Sequence, residues 1–258
     1  MLLYDNINLE EEMTHKFRFF INALVLSFII IFNIESQDNQ SVYASEAETM
    51  QIRTIDPVPL DSPTENEQAM IAYNTGTELM HQNRLNEAEI FLLEAIELDP
   101  LFVAALDHLG IIYRRQNRFN EAETMYLRSI ELDKINVVPF LNLAIVYRIQ
   151  GRLNDAFQLY RHVVETHPNN PEGYFGIGSI FYIVENYESS MLFFRRAVEL
   201  YKELNSQLIY NAYFYIGMIY FRTGEYDEAL IYLEEARRGN PNNESLVEQA
   251  INEIRNKN

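Results

Sequence analysis

The sequence predicts an all-α solenoid of five tandem helix-turn-helix units with a C-terminal capping helix. Small residues recur every 34 residues, large apolar residues keep phase with them, and helix-ending residues recur between the two. A period of about 20–50 residues is typical of solenoids, in which each unit buries its apolar face only against its neighbours. The units are 69–102, 103–136, 137–170, 171–204 and 210–243, with extra residues at 205–209.

Two positions of the unit indicate how its helices pack. The eighth position is small in every unit, as Gly76, Gly110, Ala144, Gly178 and Gly217. The twenty-fourth position is large, as Leu92, Tyr126, Tyr160, Phe194 and Leu233. A small residue lets two helices approach closely, so we expect the large side chain to fill the space opposite.

The turn inside each unit is predicted from residues that end and begin helices. The first helix ends near Asn83, Asn117, Gly151, Glu185 or Gly224, and Gly and Asn favour the left-handed conformation found there. Asn86, Asn120, Asn154 and Asp227 are predicted to cap the second helix. The acidic residues Glu87, Glu89, Glu121 and Glu123 then suit the positive end of its dipole. Glu185 and Glu188 fit these rules poorly, which predicts the loosest turn in the fourth unit.

This pattern of small, aromatic and closing-proline positions resembles the tetratricopeptide repeat family across 69–243. The resemblance implies helix pairs stacked into a right-handed superhelix, with a concave groove lined by the first helix of each pair. The sequence departs from the pattern at Lys134 and Lys202, where the closing proline is absent. The extra residues at 205–209 are expected to lengthen the second helix of the fourth unit.

The flanks of the repeats complete the domain, which is predicted to span 62–243. Ser62 to Glu65 read as a capping box, so the first helix is expected to start near Pro63. Residues 244–258 carry Leu246, Val247, Ala250, Ile251 and Ile254 on one helical face, which predicts a helix that covers the last unit. Residues 45–61 are polar and aperiodic, and they are predicted to form a flexible linker.

Residues 1–44 predict a signal peptide or an uncleaved membrane anchor. An apolar run at 19–34 follows Lys16 and Arg18, an order that places the repeats across the membrane from the cytoplasm. Translation from Met13 would give a conventional basic start, and Ala44 ends the best cleavage site. Both alternatives predict an extracytoplasmic repeat domain that is periplasmic, secreted, or anchored facing outward.

Composition narrows the function. The formal charge of −18 disfavours nucleic acid as a partner, and the absence of cysteine excludes disulfides and thiol chemistry. No pair of histidines has the i, i+4 spacing of a helical metal site, and no phosphate loop or nucleophile elbow occurs. We therefore expect no cofactor, no metal and no enzyme activity, with the membrane contacted only through the N-terminal segment.

The resemblance also implies which side chains face the groove, and these are the candidate site residues. They combine apolar, aromatic and arginine side chains, which are enriched at binding hot spots. The set is Tyr73, Arg114, Arg115, Leu141, Ile145, Arg148, Phe175, Tyr182, Phe214, Met218, Phe221 and Arg222. Such a surface predicts an apolar protein or peptide partner with some acidic residues. The alternative is that several of these side chains pack against adjacent helices.

Chaperone-binding members of the family hold a partner's terminal carboxylate in a basic, Asn-rich clamp. The clamp positions are occupied here by Tyr73, Thr77, His108, Val138 and Asn142, so that clamp is essentially absent. The leading hypothesis is a protein-interaction scaffold. The alternatives are a structural subunit of a cell-envelope assembly and an accessory or regulatory subunit of an enzyme.

Overall fold

The computed structural model describes residues 64–239 and 244–256, and all regular secondary structure in them is helical. The helices are α1 (Glu67–His81), α2 (Leu85–Leu98), α3 (Val103–Arg115), α4 (Phe119–Leu132), α5 (Val137–Ile149), α6 (Leu153–Thr166), α7 (Pro171–Ile183), α8 (Tyr187–Glu203), α9 (Ile209–Thr223), α10 (Tyr226–Gly239) and α11 (Glu244–Arg255). The predicted signal or anchor and the predicted linker lie outside the described residues.

The first ten helices form five hairpins, one for each predicted unit. Each second helix packs against the first helix of its own unit and against the first helix of the next. The first helices α1, α3, α5, α7 and α9 also contact one another in series, and α9 contacts α11. No two second helices contact each other within the described residues. The first helices therefore line the inner, concave side of a right-handed superhelical solenoid.

In each unit, the residue in the turn after the first helix has a left-handed backbone, as predicted. The φ angles are 59° at Asn83, 60° at Asn117, 73° at Gly151, 56° at Glu185 and 86° at Gly224. In the fourth unit, the amides of Val184, Glu185 and Asn186 donate to backbone carbonyls at 3.1, 3.0 and 2.9 Å. The second unit has the same three hydrogen bonds at its turn. The prediction of a looser fourth turn is therefore wrong.

The predicted caps of the second helices are also wrong. Helices α2, α4 and α6 follow Arg84, Arg118 and Arg152, none of which makes a side-chain capping hydrogen bond. The turn is so short that Asn86, Asn120, Asn154 and Asp227 already lie inside the first helical turn. The side chain that does cap a second helix is Asn186, which accepts from the Ser189 amide at 3.1 Å.

The start of α1 differs from the predicted capping box. The Asn66 side chain accepts from the amides of Gln68 and Ala69 at 3.0 and 3.1 Å, so the helix begins at Glu67. The Thr64 hydroxyl instead donates to Asp99 in the loop after α2. Thr64 thus joins the chain to the first interface between units, and Pro63 lies outside the described residues.

The C-terminal part agrees with the sequence in most respects. Helix α8 has 17 residues against 14 in α6, which confirms that the extra residues lengthen it. Helix α11 packs against α9 and α10 and buries Val247, Ala250, Ile251 and Ile254. Leu246 is 40% exposed, so its predicted place on the buried face is wrong.

Side-chain contacts between α2 and α4 and the turns of the following units join the units on the convex side. Arg118 contacts Glu89 of the preceding unit at 2.8 Å, and its guanidinium lies 4.1 Å from the centre of the Tyr113 ring. Arg152 repeats this with Glu123 at 3.0 Å. Glu89 and Glu123 therefore bridge neighbouring units, whereas the sequence assigned them to the helix dipole.

Candidate functional site

The concave face is formed by α1, α3, α5, α7 and α9, and the predicted groove residues on it differ widely in exposure. Six are buried, namely Leu141, Ile145, Arg148, Phe175, Tyr182 and Phe214. Four are partly buried, namely Tyr73, Arg114, Met218 and Phe221. Arg115 and Arg222 are exposed. The exposed surface is accordingly smaller and less apolar than the sequence suggests.

The six buried side chains correct the expectation of an open aromatic groove. The first helices contact one another directly, so side chains that point inward pack between them. The Tyr215 ring centre lies 5.5 Å from that of Phe175 and 5.3 Å from that of Tyr182. Phe214 is only 5% exposed. These rings belong to the core, whereas partner contact by the more exposed residues stays a prediction.

At the N-terminal end of the concave face, Tyr73 contacts other residues of the protein. Its hydroxyl lies 3.2 Å from Nδ1 of His108, and its ring packs on Phe102 with centres 4.8 Å apart. Burial lowers the pKa of His108 to about 4, so the imidazole is neutral at physiological pH. This geometry gives His108 a structural role.

Partly exposed apolar and charged side chains meet at the C-terminal end. Arg222 is exposed on α9, and its charge acts on the hydroxyl of Tyr182 on α7. Burial outweighs this effect and raises the pKa of Tyr182 to about 12. Met218 and Phe221 lie on α9 beside Arg222 and keep part of their surface exposed. The predicted convergence of α7 and α9 residues is therefore present here.

The five concave helices hold equal numbers of arginine and acidic residues, because α1 contributes Glu67 and Glu78 and no arginine. The other four carry more basic than acidic charge. Helices α3, α5, α7 and α9 contain Arg114, Arg115, Arg148 and Arg222 but only two acidic residues. One of these, Asp107, is fully buried, and desolvation raises its pKa to about 7. The other is Glu172, whose pKa is also raised by desolvation. The sequence alone did not reveal that both carboxyl groups are shielded.

These two carboxyl groups have structural partners. The Asn136 side chain donates to Asp107 at 3.2 Å and accepts from the Val138 amide at 3.0 Å at the start of α5. Glu172 accepts a hydrogen bond from the Tyr201 hydroxyl at 2.6 Å. Each carboxyl group thus stabilises contacts between helices, so the arginines dominate the charge of α3, α5, α7 and α9.

Two buried polar side chains on α5 have atoms without hydrogen-bond partners. Arg148 is 7% exposed, and its Nε and Nη1 atoms are buried without a hydrogen bond. Asn142 is fully buried, and neither atom of its side-chain amide has a hydrogen-bond partner. Buried polar groups are normally paired, so both are unusual. Sequence reasoning placed Arg148 in the groove but did not foresee its burial.

The described residues show no feature of a metal site or a membrane span. No three of their His, Asp and Glu side chains are grouped closely enough to hold a metal ion. Within 64–239 and 244–256, no helix has both the length and the apolar character needed to cross a bilayer.

Comparison with known families matches every repeat. Models described as tetratricopeptide repeat match residues 71–100, 103–132, 140–167, 171–204 and 210–243. The chain belongs to the tetratricopeptide repeat family. The matched segments lie within the units read from the sequence, and proteins with this repeat are generally protein-interaction scaffolds.

Solved tetratricopeptide repeat structures share the fold at low sequence identity. The hetero-tetramer Cut9-Hcn1 of APC/C gives a TM-score of 0.68 at 16% identity, over 87% of this chain and 44% of that chain. PilF of Pseudomonas aeruginosa gives 0.59 at 16%, over 67% and 77% of the two chains. YrrB, described as having an unusual peptide-binding site, gives 0.51 at 22%, over 72% and 93%. No curated protein matches the sequence.

Proposed function

We propose that this protein is a non-enzymatic scaffold that binds an acidic protein or peptide segment along its concave face. The supporting observation is the charge of α3, α5, α7 and α9 on that face, where four arginines accompany two acidic side chains that are shielded by burial. Arginine keeps its charge at physiological pH, and its planar group suits carboxylates. An acidic segment would therefore be attracted to the concave face of a protein whose overall charge is −18.

The composition of the exposed part supports the same proposal. Met218, Phe221 and Arg222 are adjacent on α9 and retain exposed surface. Aromatic, methionine and arginine side chains are the types enriched at protein interfaces. The fold is shared with YrrB, which is described as having a peptide-binding site, and with a hetero-tetramer that contains Cut9. A partner segment is thus expected to carry both apolar and acidic groups.

Crosslinking followed by affinity capture from native cells tests this proposal. We compare the wild type with Arg115→Glu/Arg222→Glu, which reverses two exposed concave charges. Arg195→Glu is the matched control, because Arg195 is exposed on the second helix α8 and donates to the Tyr220 hydroxyl. Capture of the main partner should fall at least tenfold in the concave variant only. Equal capture by all three proteins would contradict binding on this face.

Export is a further part of the proposal and rests on the sequence. The basic residues before the apolar run at 19–34 predict that the repeats lie outside the cytoplasm, whether or not residues 1–44 are cleaved. Protease added to spheroplasts should digest the repeats or find them already released. Protection of the repeats until the inner membrane is lysed would contradict export.

Lateral assembly is the second candidate, and one observation favours it. Ile90, Leu93 and Leu127 on the second helices are 64%, 45% and 43% exposed, and Leu101 and Ile135 in the loops are 68% and 78% exposed. Exposed apolar residues that group together often mark interfaces. Leu93→Gln/Leu127→Gln should then dissociate an assembly seen by sedimentation without affecting partner capture. An unchanged sedimentation profile would argue against this candidate.

A further inference from the structure

Arg148 carries a charge that the described part of the protein does not neutralise. Its side chain is only 7% exposed, and no ion pair in that part of the chain includes it. A buried charge is strongly destabilising unless it is paired and hydrogen-bonded. The two donors Nε and Nη1 are nevertheless left without acceptors. Such a side chain is expected to bind an acceptor from outside the protein.

The second unit has an arginine at the position equivalent to Arg148, but the residue near that arginine differs. Arg114 occupies the position in the second unit that Arg148 occupies in the third, and both Arg114 and Asp107 act on the hydroxyl of Tyr126. The position equivalent to Asp107 in the third unit is Leu141. In the second unit an acidic side chain thus acts on the same hydroxyl as the arginine, whereas the third unit has an apolar side chain at the equivalent position.

Glu172, the other acidic residue on α3, α5, α7 and α9, does not take this place. Glu172 acts on the Tyr160 hydroxyl, but its carboxylate accepts a hydrogen bond from Tyr201 at 2.6 Å. The pKa of Glu172 is set by burial and by Tyr201, with no contribution from Arg148. Glu172 therefore belongs to a separate contact between α7 and α8.

The surroundings of Arg148 are rich in hydrogen-bond donors. Its charge acts on the hydroxyls of Tyr160 and Tyr215, which come from α6 and α9. The Tyr160 ring lies against Gly176, where a Cβ atom would be 2.3 Å from the ring, so only glycine leaves room for it. A guanidinium only donates and a phenol can donate, whereas an ionised carboxylate only accepts and carries the charge opposite to that of arginine.

We propose that Arg148, assisted by Tyr160 and Tyr215, binds a single carboxylate of the partner on the concave face. The inference rests on the proposed function and names the group that the partner inserts there. Because Arg148 is only 7% exposed, the opening suits a small group better than a folded surface. The site differs from the clamp of the chaperone-binding members, whose positions hold Tyr73, Thr77, His108, Val138 and Asn142.

Titration of the full-length protein with acetate tests the site directly. The Nε–H resonance of Arg148 in a nitrogen-proton NMR spectrum is identified by its loss in Arg148→Gln. It should shift with acetate and saturate, while acetamide and chloride at the same concentration leave it in place. The resonances of the exposed Arg115 and Arg222 provide internal controls and should move little and without saturation. An unmoved Arg148 resonance, or an equal shift with acetamide or chloride, would overturn the proposal.

The source of the carboxylate is resolved with two acetylated tripeptides. One is amidated and has a central glutamate, and the other is apolar with a free C-terminus. One peptide should saturate the shift of the Arg148 resonance at a concentration at least tenfold lower than acetate requires. If it is the glutamate peptide, the partner supplies a side-chain carboxylate; if it is the apolar peptide, the partner supplies its C-terminal carboxylate. Failure of both peptides to improve on acetate would overturn a role for the site in partner binding.

Two variants separate this inference from the proposed function. Arg148→Lys keeps the charge but loses the planar pair of donors. Acetate affinity, followed in both proteins by the ring resonances of Tyr160 and Tyr215, should therefore weaken at least fivefold with the fold retained. If Arg148→Gln unfolds, the loss of the same resonance in Arg148→Lys identifies it in the wild type. If partner capture depends on Arg115 and Arg222 but acetate causes no response, the carboxylate site at Arg148 is overturned and the proposed binding function is retained. A saturable acetate response without concave-dependent capture would retain the site and overturn the function.

Discussion

The ring of Tyr126 lies so close to Gly110 that a Cβ atom there would be 2.5 Å from Cε1 of the ring. The same relation joins the eighth and twenty-fourth positions of other units, at 2.9 Å for Gly76 and Gly178 and 2.8 Å for Gly217. In the third unit the eighth residue is Ala144, and the Tyr160 ring lies instead against Gly176 of the next unit. The 34-residue period of small and large residues therefore reflects a close contact between the two helices of a unit.

Replacing Gly110 by leucine should destabilise the solenoid. The new side chain would overlap the Tyr126 ring, and overpacking of this kind costs about 1–3 kcal/mol. Chemical denaturation measures the loss, and hydrogen exchange should show that it extends to the units on either side. Thr124→Leu on the exposed side of α4 is the control and should change little. A Gly110→Leu variant as stable as the wild type would show that the repeat register is wrong.

The buried Asp107 should make stability depend on pH. Its pKa is raised from 3.8 to about 7, so between these values the folded protein keeps a proton that the unfolded chain releases. The free energy of unfolding should therefore fall as pH rises from about 4 to 7, by roughly 2–4 kcal/mol. This contribution is complete below the unfolded pKa and is lost above about 7.

Asp107→Asn is the matched variant for that prediction, because asparagine can still accept from Asn136 and has no charge. Its stability should vary less with pH between 5 and 8, and it should exceed the wild type at pH 8. Denaturation curves at the two values give the comparison. Parallel pH profiles for the two proteins would show that Asp107 is not the titrating group.

Alanine variants of Phe214 and Phe221, which both lie on α9, should distinguish a core side chain from one that contacts a partner. Phe214 is 5% exposed, and truncating a buried phenylalanine to alanine costs about 3–5 kcal/mol. Phe221 is partly exposed, so Phe221→Ala should lower the melting temperature less and should weaken partner capture instead. Tyr160→Ala provides a core reference at 4% exposure. Equal melting of the two phenylalanine variants would place Phe221 in the core.

The convex contacts of Arg118 should matter more than those of Arg84. Arg118 joins two units through Glu89 and stacks on Tyr113, whereas Arg84 pairs with Glu87 three residues along. Surface ion pairs contribute about 0.2–1 kcal/mol, and a cation-π contact about 0.5–1 kcal/mol. Arg118→Met should therefore lower the midpoint of chemical denaturation more than Arg84→Met does. Similar losses in the two variants would contradict coupling between units.

The sequence determined the fold because the repeat depends on local signals. The backbone at Asn117 and Gly151 is left-handed as predicted, since the residue type at a short turn decides which φ angle is accessible. Gly110 and Tyr126 were paired from their spacing, because a small and a large residue 16 apart in a short helical hairpin can face each other. The caps failed, since Asn86 lies inside its helix and a cap depends on the residue at which the helix begins.

The tertiary structure alone decided which concave side chains meet solvent. Phe214 and Phe221 look equivalent in the sequence, but the distance between neighbouring first helices buries one and leaves the other partly exposed. The pairing of Arg118 with Glu89 and the unpaired donors of Arg148 likewise arise between elements distant in the chain. A 34-residue period specifies how each unit packs within itself, whereas burial and charge at the concave face depend on how successive units stack.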